Sequence, residues 1–126
     1  MKFAHTMIRV FDLEKSLDFY ENALGFELDR TSEHESGKFS LAFLDIPNSN
    51  AQLELTYNWP REEPYDLGDG YGHIALYVDD MDATVAQIRS AGYELDRGPT
   101  TSPSGNKQMA FVKDPDGYAI ELLEVS

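Results

Sequence analysis

The sequence predicts an α+β protein made of two copies of a βαβββ unit, and three internal correspondences predict it. His5 opens the apolar stretch Thr6 to Val10, as His73 opens Ile74 to Val78. Asp12-Leu13-Glu14 leads into a helical pattern ending at Gly25-Phe26-Glu27-Leu28, and Asp80-Met81-Asp82 leads to Gly92-Tyr93-Glu94-Leu95. Leu41-Ala42-Phe43-Leu44 is answered by Met109-Ala110-Phe111-Val112, and Gln-Leu-Glu-Leu around Glu54 by Ala-Ile-Glu-Leu around Glu121. The period is close to half the chain and there are only two copies, so a duplicated unit that pairs with itself fits better than a solenoid.

Each element has a local reason. From Phe3 to Val10 the alternation places His5, Met7 and Arg9 on one face and Thr6, Ile8 and Val10 on the other. Asp12 is a candidate N-cap, Leu13, Leu17, Tyr20 and Leu24 recur at helical spacing, and Gly25 ends the run. Strands are expected near 26–33, 38–46 and 51–57, separated by Ser36-Gly37 and Pro47-Asn48-Ser49-Asn50 turn chemistry. The segment from Trp59 to Gly72, rich in Pro, Gly and acidic residues, reads as the connection between copies. In the second copy Met81, Val85 and Ile88 mark the buried helix stripe and Gly92 ends it. Gly98 to Asn106 is expected to be a long mobile lid, and Asp114-Pro115-Asp116-Gly117 a hairpin turn between two strands. The expected organisation is one domain, 1–126, with repeats at about 1–58 and 71–126 and a linker at 59–70.

Composition narrows the function classes. The 126 residues suffice for one core but not for two independent ones. No apolar run is long enough to span a bilayer and no signal-peptide core precedes the first strand, so a cytoplasmic location is expected. Without cysteine, disulfides, thiolate metal sites and a cysteine nucleophile are excluded. A net charge of −13 with ten Lys and Arg disfavours nucleic acid and anionic membranes as partners. An anionic small molecule remains compatible where a few basic side chains line its pocket.

His5, Glu54, His73 and Glu121 carry the chemistry. Taken singly, each histidine reads as a hydrogen-bonded core or edge residue and Glu54 as part of the polar face Gln52, Glu54, Thr56 and Asn58. Taken together, two imidazoles and two carboxylates at repeat-related places read as one metal site. Glu121 stands between Ile120 and Leu122, with Ala119 and Leu123 on its own face, where an unpaired charge is costly and an ion would offset it. Nitrogen and oxygen donors suit Zn, Ni, Co, Fe or Mn, and ligand type alone does not choose among them. His34, between Glu33 and Glu35, reads as surface. Arg9, on the His5 face, reads equally as pocket lining or as a surface ion pair, whereas solvation is the simpler reading of Arg97 and Lys107 and turn satisfaction that of Asn58.

The pattern His5-Thr6-Met7-Ile8-Arg9-Val10, Asp12-Leu13, Ser16-Leu17-Asp18-Phe19-Tyr20, Leu24-Gly25, Glu54-Leu55-Thr56-Tyr57-Asn58, Gly72-His73-Ile74-Ala75 and Asp114-Pro115-Asp116-Gly117-Tyr118 with Ile120-Glu121-Leu122 resembles the glyoxalase I family. That family belongs to the vicinal oxygen chelate superfamily, and the similarity covers essentially the whole chain. The resemblance implies the glyoxalase/bleomycin-resistance/dioxygenase fold, with paired βαβββ modules forming a half-barrel around a metal held by His5, Glu54, His73 and Glu121. It also implies a homodimer with shared sites and Ni(II) as the favoured ion, since the chain lacks the N-terminal segment of zinc-dependent eukaryotic members; Co and Zn are the alternatives. The implied reaction converts the methylglyoxal–glutathione hemithioacetal to S-D-lactoylglutathione, with Glu121 as principal base and Glu54 serving the opposite face. Arg9 and Asn58 match positions contacting the γ-glutamyl end of glutathione, and Arg97 and Lys107 lie near its glycyl carboxylate. Asp69 stands where eukaryotic members have an arginine, which leaves the thiol open. The alternatives are methylmalonyl-CoA epimerase, whose pattern has glutamine where this chain has Glu54, and a non-catalytic binding module of the same superfamily.

Overall fold

The computed structural model describes residues 1–103 and 105–125; position 104 of the expected long loop and the C-terminal residue 126 lie outside them. The first copy comprises β1 (His5–Arg9), α1 (Leu13–Asp18) continued by a π-helical turn (Phe19–Ala23), β2 (Glu27–His34), β3 (Phe39–Asp45) and β4 (Gln52–Asn58). The second comprises β5 (Ile74–Val78), α2 (Met81–Ser90), β6 (Arg97–Thr101), β7 (Gln108–Lys113) and β8 (Ala119–Glu124). Both copies fold into four-stranded mixed sheets of the same order, β1-β4-β3-β2 and β5-β8-β7-β6. The first and last strand of each unit run parallel, β1 with β4 and β5 with β8, and the other pairings are antiparallel.

Asp12 and Asp80 start the two helices, their carboxylates accepting the backbone N–H of Lys15 and Ala83 at 3.1 Å. Gly25, at φ +75°, ends the first helix, with Phe26 N–H donating to the Tyr20 carbonyl at 2.9 Å. The expected stripe in that helix is displaced. Ser16, Phe19, Tyr20 and Ala23 are the buried positions, while Leu13, Leu17 and Leu24 are only partly covered. The buried set keeps the i, i+3, i+4, i+7 spacing of a helical face, set beside the row of leucines rather than on it.

One apolar cluster joins the copies. Ile8, Val10, Leu53 and Leu55 from the first sheet and Ile120 and Leu122 from the second gather with Phe19, Tyr20, Met81 and Ile88 from the helices. Each such side chain contributes about 1.5–3 kcal/mol on burial. Strand alternation then sends the intervening residues to the other face, where His5, Glu54, His73 and Glu121 stand.

The segment expected as a lid begins as a strand. Arg97–Thr101 pairs antiparallel with β7, with a register break between Arg97 and Thr100. Pro99 is tolerated because β6 is an edge strand and the break removes the need for its missing donor. Gly98, at φ +86°, is required here, since a Cβ would lie 2.8 Å from the Met109 carbonyl.

The predicted turn Asp114-Pro115-Asp116-Gly117 forms, with Gly117 N–H donating to the Asp114 carbonyl at 2.9 Å, but it also clasps the first copy. Tyr20 donates its hydroxyl to Asp114 at 2.6 Å, Phe11 N–H donates to Asp116 at 2.8 Å, and the Tyr118 hydroxyl donates to the Arg9 carbonyl at 2.9 Å. Asp114 is 4% exposed, and burial pushes its carboxyl from 3.8 up to about 6 despite the donors from Tyr20, Tyr118 and Asp116. Burial raises Asp116 as well. The native chain therefore holds more protons than the unfolded chain between pH 4 and 6, so this contribution to stability is present below pH 4 and lost as pH rises through 6. For Asp114 the loss amounts to about 3 kcal/mol at most. Urea midpoints of Asp114→Asn measured from pH 4 to pH 7 are expected to fall less steeply than those of the wild type; equal slopes would remove Asp114 from this role.

Candidate metal centre

His5 begins β1, and Glu54 lies two positions along the parallel partner strand from its opposite residue, since His5 faces Gln52 and Met7 faces Glu54. The diagonal brings His5 Nε2 to 2.8 Å from Glu54 Oε1. Thr56 donates its hydroxyl to the other oxygen, Oε2, at 3.2 Å, which turns Oε1 toward the imidazole. His73 directly precedes β5, and its Nε2 lies 3.3 Å from Oε1 of Glu121. The sequence thus places two nitrogen–oxygen pairs by one local plan, used twice.

Their surroundings repeat as well. Glu54 stands between Met7 on β1 and Phe43 on β3, and Glu121 between Ala75 on β5 and Phe111 on β7. Phe43 meets the His5 ring nearly at right angles at 5.4 Å, and Phe111 meets His73 likewise at 5.6 Å. Glu54 is the more enclosed carboxylate, its side chain 12% exposed against 15% for Glu121. The polar face of β4 is therefore not a solvated one: Glu54 and Thr56 are both buried. Within the chain the charge of Glu121 already has a partner in His73.

The two pairs stay apart. They lie in different sheets, and among the described residues no group of three or more His, Asp and Glu side chains is placed to hold one ion. Each pair brings an imidazole nitrogen beside a carboxylate oxygen, the donor chemistry that divalent ions of the zinc, nickel and cobalt type take. The donor types fit such an ion, and one chain presents it as two two-donor halves.

Arg9 and Asn58 come together at the end of the first sheet. Arg9 Nε donates to Asn58 Oδ1 at 3.2 Å, and the Tyr65 hydroxyl donates to the same oxygen at 3.2 Å. With Oδ1 engaged twice, the amide Nδ2 and the terminal guanidinium nitrogens of Arg9 are the donors facing outward, a set matched to a carboxylate. Arg97 is elsewhere, its guanidinium 4.1 Å from the Phe111 ring centre. Lys107 is exposed just before β7, Asp69 is exposed in the connection between copies, and His34 is exposed and stacked on Phe39 at 4.5 Å. Thr56, Tyr65 and Arg30 escaped sequence reasoning. Arg30 carries a signal that was available: it stands 67 residues before Arg97, the separation of Glu54 and Glu121.

Comparisons with known proteins converge. The family model of the Glyoxalase/Bleomycin resistance protein/Dioxygenase superfamily matches residues 2–122. The chain is 49% identical over 124 residues to a probable lactoylglutathione lyase of Synechocystis, with 97% of this chain and 94% of that protein covered. It is 46% identical over 126 residues to the lactoylglutathione lyase of Haemophilus influenzae, covering 98% and 93%. Glyoxalase I from Zea mays superposes with a TM-score of 0.90 at 35% identity, covering 99% of this chain and 45% of the longer maize chain. The trypanothione-dependent glyoxalase I of Leishmania major superposes at 0.82 with 41% identity, covering 98% and 86%. With its duplicated βαβββ unit and a match along nearly its whole length, the chain belongs to the Glyoxalase/Bleomycin resistance protein/Dioxygenase superfamily.

Proposed function

We propose that this protein is a metal-dependent lactoylglutathione lyase that isomerises the hemithioacetal of methylglyoxal and glutathione to S-D-lactoylglutathione. The observation that carries the reading is the repeated pair, His5 with Glu54 and His73 with Glu121, in a chain whose full-length relatives bear that name. The four side chains would hold the ion, which when bound supplies Lewis-acid stabilisation of negative charge on the substrate oxygens. Ni(II) is the favoured ion, with Co(II) next.

The chain's own residues do the rest. Glu121 takes the proton from the hemithioacetal carbon bearing sulfur, and a proton returned to the neighbouring carbon leaves the thioester and the new hydroxyl. Glu54 serves the opposite face. Thr56 holds one oxygen of Glu54, whereas Glu121, with the more open side chain of the two, is the freer to exchange a proton. The outward donors of Arg9 and Asn58 receive the γ-glutamyl carboxylate, and Arg97 and Lys107 supply positive charge toward the glycyl end. The site lies between two copies of the chain. Both β1 and β5 are edge strands that carry a two-donor half beside them, so pairing β1 of one protomer with β5 of its partner builds a half-barrel and completes two four-donor sites by one symmetry operation.

The direct test follows thioester formation from methylglyoxal and glutathione by absorbance. Chelated protein is expected to be inactive and to recover with Ni(II) or Co(II) more than with Zn(II); recovery by Zn(II) alone would reassign the metal. Glu121→Gln is expected to keep bound metal, through its amide oxygen, while turnover falls about 10²–10⁴-fold, the usual contribution of a general base. Near-normal turnover in the metal-loaded variant would remove Glu121 from that role.

The shared-site arrangement has its own test. Neither His5→Ala/Glu54→Ala nor His73→Ala/Glu121→Ala should be active alone. Unfolded and refolded together, they form heterodimers in which the intact first half of one chain meets the intact second half of the other, restoring one working site. Confirmed heterodimers without activity would reject the shared site.

A further inference from the structure

A single row of side chains crosses each sheet, and the two rows match. In the first sheet Arg30, Phe43, Glu54 and Met7 are direct cross-strand neighbours on β2, β3, β4 and β1. In the second, Arg97, Phe111, Glu121 and Ala75 occupy β6, β7, β8 and β5. The Arg30 guanidinium lies 4.0 Å from the Phe43 ring centre and that of Arg97 lies 4.1 Å from the Phe111 ring centre. Each ring in turn stands at 81° or 79° to the imidazole of the same copy. Both outer strands break register beside the arginine, between Leu28 and Arg30 and between Arg97 and Thr100. A bulge re-aims a side chain, and here both bulges sit where the guanidinium must reach over a ring.

We propose that Arg30 and Arg97 are positioning residues for His5 and His73, each clamping the phenylalanine that fixes the plane of its imidazole. The proposal rests on the reading of these histidines as metal ligands. A guanidinium is attracted to the negative face of an aromatic ring, so it holds the ring against the sheet. A ring held in that way blocks rotation of the imidazole packed perpendicular to it and keeps Nε2 aimed at the carboxylate oxygen. The clamp requires neither arginine to touch the ion, and for Arg97 it stands beside the charge that residue offers the glycyl end. The copies differ in how the arginine itself is held: Arg30 is ion-paired with Asp29, which also accepts from Gln52 Nε2 at 2.9 Å, whereas among the described residues no carboxylate pairs with Arg97.

The alternative is that each arginine merely shields a phenylalanine from water, a role that methionine fills and for which charge is irrelevant. Arg30→Met and Arg97→Met keep the apolar cover and remove the charge, while Arg30→Lys and Arg97→Lys keep the charge. Both positions are exposed on edge strands, so the variants should fold. The chain has three histidines, so the ring resonances of metal-free protein can be assigned individually by NMR. Arg30→Met is expected to shift and broaden the His5 ring signals and leave those of His73 unchanged, Arg97→Met the reverse, with the lysine variants close to wild type. Calorimetric titration with Ni(II) should show about tenfold weaker binding in each methionine variant, the scale of losses when a partner of a metal-ligating histidine is removed. Ring signals unmoved in the methionine variants, or moved as far by lysine as by methionine, would overturn the positioning role. A wild type that binds no Ni(II) or Co(II) while the methionine variants still move their own histidine selectively would instead fail the metal reading and uphold the clamp.

Discussion

The turn at Asp114 is the constraint on which the arrangement of this chain depends. Five backbone and side-chain donors converge on two aspartates in one tight turn, and they come from both copies: Tyr20, Phe11 and Ser16 from the first, Tyr118 and Asp116 from the second. Enclosing a carboxylate among apolar neighbours is unfavourable unless it is hydrogen-bonded, so the turn holds its place only while the corner between β1 and α1 supplies its donors. The first copy has no equivalent. Its matching turn, between Ile46 and Ala51, is closed by a single backbone bond of 3.3 Å and carries no carboxylate. The duplication thus diverged where the copies had to recognise each other. Tyr93 to Asp18 at 2.7 Å and the perpendicular contact of Phe19 with Tyr93 extend the same inter-copy seam along the helices.

With the copies fixed in this way, alternation does the positioning. The side chains of Ile8, Leu55 and Leu122 enter the shared core, and the next residue along each strand must then face the opposite way. Glu54 and Glu121 follow Leu53 and Ile120 for that reason. A shift of β4 by one residue would send Glu54 into the core and Leu53 and Leu55 out of it, and a shift of β8 would do the same to Glu121, Ile120 and Leu122. The parallel register that fills the core is therefore the same register that brings each histidine onto the diagonal of its glutamate.

Much of this was legible in the sequence. The strands announced themselves by period-two alternation and turn residues, the helix starts by Asp12 and Asp80, and the two histidine–glutamate pairs by their repetition. Other features were hidden for physical reasons. The buried face of the first helix includes Ser16 and Ala23, small residues that a neighbouring row of leucines outweighs in any hydropathy pattern. Arg97–Thr101 carries a glycine and a proline, which oppose strands in general but suit a bulged edge. Arg30 looks like any charged residue on an exposed strand, because its partner is a ring on the neighbouring strand rather than a residue nearby in sequence. The separation of the donor pairs into two sheets depends on the long-range packing of the copies, which local patterns do not encode. No helix among the described residues is long and apolar enough to cross a membrane.

Pairing each carboxylate with an imidazole of its own copy satisfies both halves without an ion. Four converging donors in one chain, two of them carboxylates, would put like charges side by side in a partly dry cleft. Divided into pairs, each carboxylate instead has an imidazole within 2.8 or 3.3 Å, and among the described residues every buried side-chain nitrogen and oxygen has a hydrogen-bond partner. Neither half therefore requires metal in order to fold. On the proposed shared site, Glu54 and Glu121 would approach each other only when two chains pair, and a divalent cation between them would offset their repulsion. On that reading assembly and metal capture would be coupled, since each would make the other more favourable.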